Sequence, residues 1–82
     1  VASIVARLLL LGPAREAAGL SRDDVEGATV AAVLARAVDR YGGAFEEVLL
    51  ISQVWVNGES AESTRTVSAT DEIAVLPPIS GG

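Results

Sequence analysis

The amino-acid sequence predicts an α+β fold, a mixed sheet of four or five strands with one main helix packed on one face. Three observations carry this. A single segment, Val30 to Tyr41, spaces its apolar residues as a helix does, whereas the other apolar segments are short and bounded by Gly, Pro or Asn. No repeat, linker or low-complexity block interrupts the sequence. Its 82 residues, 50% of them hydrophobic, suffice for one small domain with a thin core.

Ile4 to Leu11 is apolar and rich in branched side chains, and Gly12-Pro13 ends it because proline has no N–H to pair. With Arg7 turned to solvent, strand alternation sends Val5, Leu9 and Leu11 outward and Ile4, Ala6, Leu8 and Leu10 into the core. Ala14 to Leu20 reads as a loop with a helical turn, and Ser21 to Gly27 includes a short edge strand. Val30, Val33, Leu34, Ala37, Val38 and Tyr41 then share one helical face, capped at the start by Thr29 and stopped by Gly42-Gly43.

After Phe45 and the Val48-Leu49-Leu50-Ile51 run, Gln53 to Asn57 alternates polar and apolar residues up to Asn57-Gly58, a dipeptide suited to the positive φ angles of a type I′ turn. Two strands are expected to meet there. Val54 and Val56 face the core, leaving Trp55 on the other side. The last strand, Asp71 to Leu76, turns Ile73 and Val75 inward and Ala74 and Leu76 outward, and Pro77-Pro78 ends it. The order is strand, weak strand, helix, strand, strand, strand, which is the β-grasp arrangement. Residues 1–76 form this domain and 77–82 a flexible tail. One helix covers one face of a sheet, so Leu9, Leu11, Trp55, Ala74 and Leu76 gather on the uncovered face as an apolar patch.

Composition excludes much chemistry. With neither Cys nor His there is no thiolate nucleophile, disulfide or imidazole base, and no metal site built from those ligands. Lys is absent too, since the six basic residues are Arg7, Arg15, Arg22, Arg36, Arg40 and Arg65, so no side-chain amine can form a Schiff base or accept an isopeptide bond. The carboxylate neighbours Asp23/Asp24, Glu46/Glu47 and Asp71/Glu72 read as solvated charge, because sequence neighbours point apart. A net charge of −5 argues against a nucleic-acid partner and for a basic protein partner. No apolar run is long enough to span a bilayer, and the charged Arg7 inside Val1 to Leu11 makes that segment a strand instead of a secretion signal. A cytoplasmic location is expected.

What remains is the tail. Gly81-Gly82 presents a carboxylate on a slim strip with no side chains, able to thread a narrow active site.

The chain resembles the small, ubiquitin-like sulfur-carrier subunit of molybdopterin synthase. The residues that carry the resemblance are the apolar first strand running into Ala14-Arg15-Glu16-Ala17-Ala18-Gly19, the helix opening at Thr29-Val30, the Val56-Asn57-Gly58 hairpin, and Asp71 to Leu76 followed by Pro77-Pro78-Ile79-Ser80-Gly81-Gly82. The final segment is the most specific. The resemblance implies a chain that is not an enzyme on its own and binds no cofactor. Its Gly82 carboxylate, with Gly81 giving access, would be adenylated by a ubiquitin-activating-type enzyme that uses ATP, converted to a thiocarboxylate, and inserted into a large synthase subunit to build the molybdopterin dithiolene. Two small chains would flank a dimer of large subunits. Leu9, Leu11, Trp55, Leu76, Pro77, Pro78 and Ile79 would meet the partner, aliphatic Leu11 and Leu76 replacing aromatics frequent in that family. Arg15 and Glu16 match a recurrent pair, readable as a loop ion pair or as a partner contact. Thr70 stands where that family usually has Gly. The alternatives are a carrier for cysteine, thiamine, tRNA thiolation or protein tagging, and a β-grasp interaction module with an inert tail.

Overall fold

The computed structural model describes residues 4–77. A five-stranded sheet of order β2-β1-β5-β3-β4 is built from β1 (Val5–Leu10), β2 (Arg22–Glu26), β3 (Gln53–Val56), β4 (Glu59–Ser60) and β5 (Glu72–Leu76). β1 and β5 run parallel at its centre and the other pairings are antiparallel, so the sheet is mixed as expected. Three helices, α1 (Pro13–Ala18), α2 (Val30–Tyr41) and α3 (Gly43–Ile51), contribute to the core on one side of it. The fold is the ubiquitin-like β-grasp.

Period-two alternation holds through the sheet. Ala6, Leu8, Leu10, Val25, Val56, Ile73 and Val75 are buried and meet Val30, Val33, Leu34 and Ala37 of α2 and Phe45 of α3. Ile4 departs from the expected inward face: it precedes β1 and is exposed, because no helix lies over that end of the strand to receive it. Val54 is half-buried against the core where full burial was expected, as it sits beside the short β4.

The sequence also predicted a single main helix, and α3 corrects this. Gly42, at φ 99°, ends α2 with its N–H on the Val38 carbonyl, and Gly43 starts the next helix at once. Phe45, Val48 and Leu49 fall at i, i+3 and i+4, so α3 buries one stripe, and the Phe45 ring meets Tyr41 edge-on at 5.1 Å between centroids. The glycine pair hid this continuation, and an uninterrupted apolar run cannot by itself tell a strand from a helix.

Thr29 caps α2 as expected, its Oγ1 accepting the Ala32 N–H at 3.1 Å. It also pairs with Thr66, holding the chain between β4 and β5 against the helix start, where Val67 is buried. Thr29→Ala should lower the unfolding free energy by about 1 kcal/mol, measured by urea denaturation with no change in the slope.

Two carboxylates fasten the sheet to its surroundings. Asp23 Oδ2 accepts from Tyr41 Oη at 2.6 Å and from Arg40 Nη1 at 2.7 Å, tying β2 to the end of α2. Burial pushes the Asp23 carboxyl up, but the hydrogen bonds from Tyr41, Arg40 and the Asp24 N–H together hold it below its ordinary value. Asp71 is held low by the Asn57 side chain and the Ser68 N–H. Both folded-state values lie below the unfolded ones, so their stabilisation is complete above the usual aspartate range of about 4 and is lost as pH falls through the lower folded values. Tyr41 is shifted the other way, raised by burial and by Asp23. Its contribution is complete below about pH 10 and declines as pH rises further. Asp23→Asn is expected to flatten the acid limb of stability against pH, as read from thermal midpoints across an acid series.

Candidate functional site: the uncovered sheet face and the root of the tail

The face of the sheet away from the helices is ordered in rows by strand register. Nearest the Asn57 turn lie Asp24, Arg7 and Glu72, opposite one another on β2, β1 and β5. The next row is Arg22, Leu9, Ala74, Trp55 and Ser60, crossing all five strands. Nearest the tail, Gln53 faces Leu76, and the Leu11 N–H donates to the Val75 carbonyl at 3.1 Å, which extends the β1–β5 ladder to Leu11. The polar end of this face therefore lies by the turn and the apolar end by the tail.

Leu9, Trp55, Ala74 and Leu76 are half-buried and Leu11 is 42% exposed, although their neighbours Leu8, Leu10, Val56, Ile73 and Val75 are buried. Their partial cover comes from one another. Trp55 Nε1 donates to Gln53 Oε1 at 3.2 Å, which satisfies the indole and turns it toward the tail end. Thus the expected patch residues Leu9, Leu11, Trp55, Ala74 and Leu76 do come together on one face.

The root of the tail is held firmly. β5 is the central strand between β1 and β3, so Leu76 is fixed on both sides. Pro77, assigned to the tail by the sequence, is exposed and lies against Gly12, where an added Cβ would sit 3.4 Å from Pro77 Cγ. Gly12 adopts φ 57°, a conformation that favours glycine, as the chain turns from β1 into α1. Pro78, Ile79, Gly81 and Gly82 lie outside the described residues.

At the other end of β5, Asn57 (φ 52°) and Gly58 (φ 83°) form the expected turn. The Asn57 side chain does more than the sequence reading assigned it: Nδ2 donates to Asp71 Oδ1 at 2.8 Å and Oδ1 accepts the Glu72 N–H at 3.0 Å. Ser68 N–H in turn donates to Asp71 Oδ2. Thr70 takes no positive φ, so this turn does not require the glycine usual in the resembling family. The signal for this clamp was an Asn at a turn with an acidic residue before the last strand.

A second feature missed from sequence is an open cleft of about 340 Å³ lined by Arg7, Arg22, Asp23 and Asp24. It places charges of both signs beside the apolar row, as a polar rim does at a protein interface. Strand alternation in β1 and β2 was its signal. Arg15 and Glu16 are exposed on α1 and form no ion pair among the described residues. The described residues hold no group of three His, Cys, Asp or Glu that could bind a metal, and no helix long and apolar enough to cross a membrane.

Residues 8–82 match the ThiS family. The chain belongs to the ThiS family. The ThiS-family chain is a ubiquitin-like sulfur carrier, with the match reaching through the Gly-Gly segment. Among solved structures, it is similar to small archaeal modifier protein 1 from Methanosarcina acetivorans, with 25% identity, all of both chains covered and a TM-score of 0.87. The same modifier from Haloferax volcanii is 30% identical over 95% of this chain and 99% of that one, with a TM-score of 0.81. Fold likeness extends to the complex of subunits 1 and 2 of the molybdopterin-converting factor from Helicobacter pylori, at 18% identity, 96% and 100% coverage and a TM-score of 0.70. No curated protein matches the chain.

Proposed function

We propose that this carrier is the small subunit of a molybdopterin synthase. In this reading the Gly82 carboxylate attacks the α-phosphorus of ATP on a ubiquitin-activating-type enzyme, releasing pyrophosphate, and sulfur from a donor displaces AMP to leave a thiocarboxylate. Gly81 keeps the tail slim. The tail then enters the large subunit, whose pocket supplies the catalysis, and passes sulfur to cyclic pyranopterin monophosphate for the dithiolene. ATP is the activating enzyme's substrate, and the location is the cytoplasm.

The family match running to Gly82 on a chain without Cys, His or Lys carries the reading. A carboxylate is a poor electrophile until its oxygen leaves as AMP, and a thiocarboxylate is a soft nucleophile that needs no base from its own chain. The apolar end of the uncovered face lies at the tail's root, so docking Leu9, Leu11, Trp55, Leu76 and Pro77 on the large subunit would aim Pro78, Ile79 and the glycines into its pocket. The resemblance of Pro77-Pro78-Ile79-Ser80-Gly81-Gly82 to molybdopterin synthase carriers supports this pathway over others.

Protein tagging is the second reading, favoured by the likeness to the two archaeal modifiers. Lacking Lys, the chain could not extend itself into side-chain-linked polymers, so each tag would be single. Reconstitution separates the two. With activating enzyme, ATP, a sulfur donor and a synthase large subunit, a carrier yields dithiolene and gains about 16 Da in intact mass as sulfur replaces one carboxylate oxygen. A tag instead yields lysine adducts on other proteins and no dithiolene.

A further inference from the structure

We propose that Leu50 and Ile51 form a second docking surface beside the root of the tail, fitted to an apolar patch with a basic rim on the enzyme that adenylates it. This rests on the carrier reading above.

The inner stripe of α3 is fully accounted for by Phe45, Val48 and Leu49, which pack on the core. Its outer stripe is Glu46, Glu47, Leu50 and Ile51. Leu50 is 82% exposed and Ile51 64% exposed, more than any other large apolar side chain described. The fold gains nothing from apolar residues there, since a surface helix normally places polar residues on its outer side.

Their place in the fold identifies what meets them. Ser52 joins α3 directly to β3, whose first residue Gln53 faces Leu76, the last residue of β5. The exposed end of α3 and the exit of the tail are therefore at the same end of the molecule. On the other side of β5, Leu10 faces Val75 and Leu11 follows it into solvent. The chain leaves Pro77 between Leu11 and the end of α3.

Five residues follow Pro77, and an extended chain gains at most about 3.5 Å per residue, so Gly82 can reach roughly 17 Å from that point. An enzyme acting on Gly82 must bring its surface that close to Pro77, over the end where Leu50 and Ile51 stand. Glu46 and Glu47 lie one turn earlier on the same stripe, and α3 carries no basic residue. Charge complementarity then calls for basic groups around the partner's apolar patch. This surface belongs to the helical side of the sheet and the Trp55 row to the other, so a partner using both would grip the tail's root from two sides.

The test is ATP–pyrophosphate exchange by the activating enzyme with the full carrier as substrate. Leu50→Glu/Ile51→Glu should keep the circular dichroism spectrum and thermal midpoint, and should raise KM for the carrier roughly tenfold or more with kcat little changed. Glu46→Arg/Glu47→Arg should raise KM at low salt and less so at high salt. Leu50→Met/Ile51→Leu should behave as wild type. If the Glu pair disturbs the fold, Leu50→Ser/Ile51→Ser is read in the same way. An unchanged KM in the folded variant, with wild type activated, would overturn this surface and leave the carrier reading standing. Failure of wild type to be activated would overturn both.

Discussion

Removal of Gly82 alone should leave a folded chain that binds its partner almost normally and yet accepts no sulfur. The core ends at Val75 and the last strand at Leu76, so a residue six positions further on contributes nothing to either. Shortening the chain by one residue draws the reactive carbon back by about 3.5 Å, and near-attack geometry does not survive a displacement of that size. Binding energy gathered by the sheet face cannot compensate, because it positions the root of the tail and not its tip. Gly81→Val should act similarly by a different cause, adding branched bulk in a narrow channel and restricting φ. Ser80→Ala should be mild. Intact mass after incubation with activating enzyme, ATP and sulfur donor gives the readout. A shortened chain that still gains sulfur and supports full dithiolene formation would eliminate the carrier reading.

The parts of this fold that were legible in the sequence are those where one local rule acts alone. Alternation along β1 and β5 assigned Leu8 and Val75 to the core and Leu9 and Leu76 to the other face, because a strand has only two sides. Asn57-Gly58 specified its turn through backbone conformations that few residues adopt. Where two rules compete, the reading failed. Gly42-Gly43 signals the end of α2, and it does end it, but Gly43 opens α3, which only the packing of Phe45 against the core stabilises. Ile4 looks like core from composition and is exposed because of where the helices lie, which no local pattern encodes. The clamp of Asn57 on Asp71 and Glu72 joins residues 14 and 15 positions apart, a relation set by sheet register. Gly12 and Pro77 meet for the same reason.

The sheet face itself makes the sharpest contrast, since it separates two neighbouring residues by function. Val75 is fully buried on the helical side, and Leu76 is half-buried on the other. A carboxylate at 75 would enter the core without a partner and should unfold the domain, whereas Leu76→Glu places its charge where water still reaches it in the free chain. The cost should appear on binding. Docking would bury that carboxylate at the centre of an apolar patch formed with Leu9, Ala74 and Trp55. The expected loss is about 2 kcal/mol or more, a weakening of roughly 30-fold in Kd for the large subunit. Leu11→Glu, at the margin of the same patch, should act in the same direction. Calorimetry on the variants, paired with thermal unfolding, separates the two effects. Normal affinity in either variant, or outright unfolding of Leu76→Glu, would mean that this face does not meet the partner, and the tail would then have to be aimed by another surface of the domain.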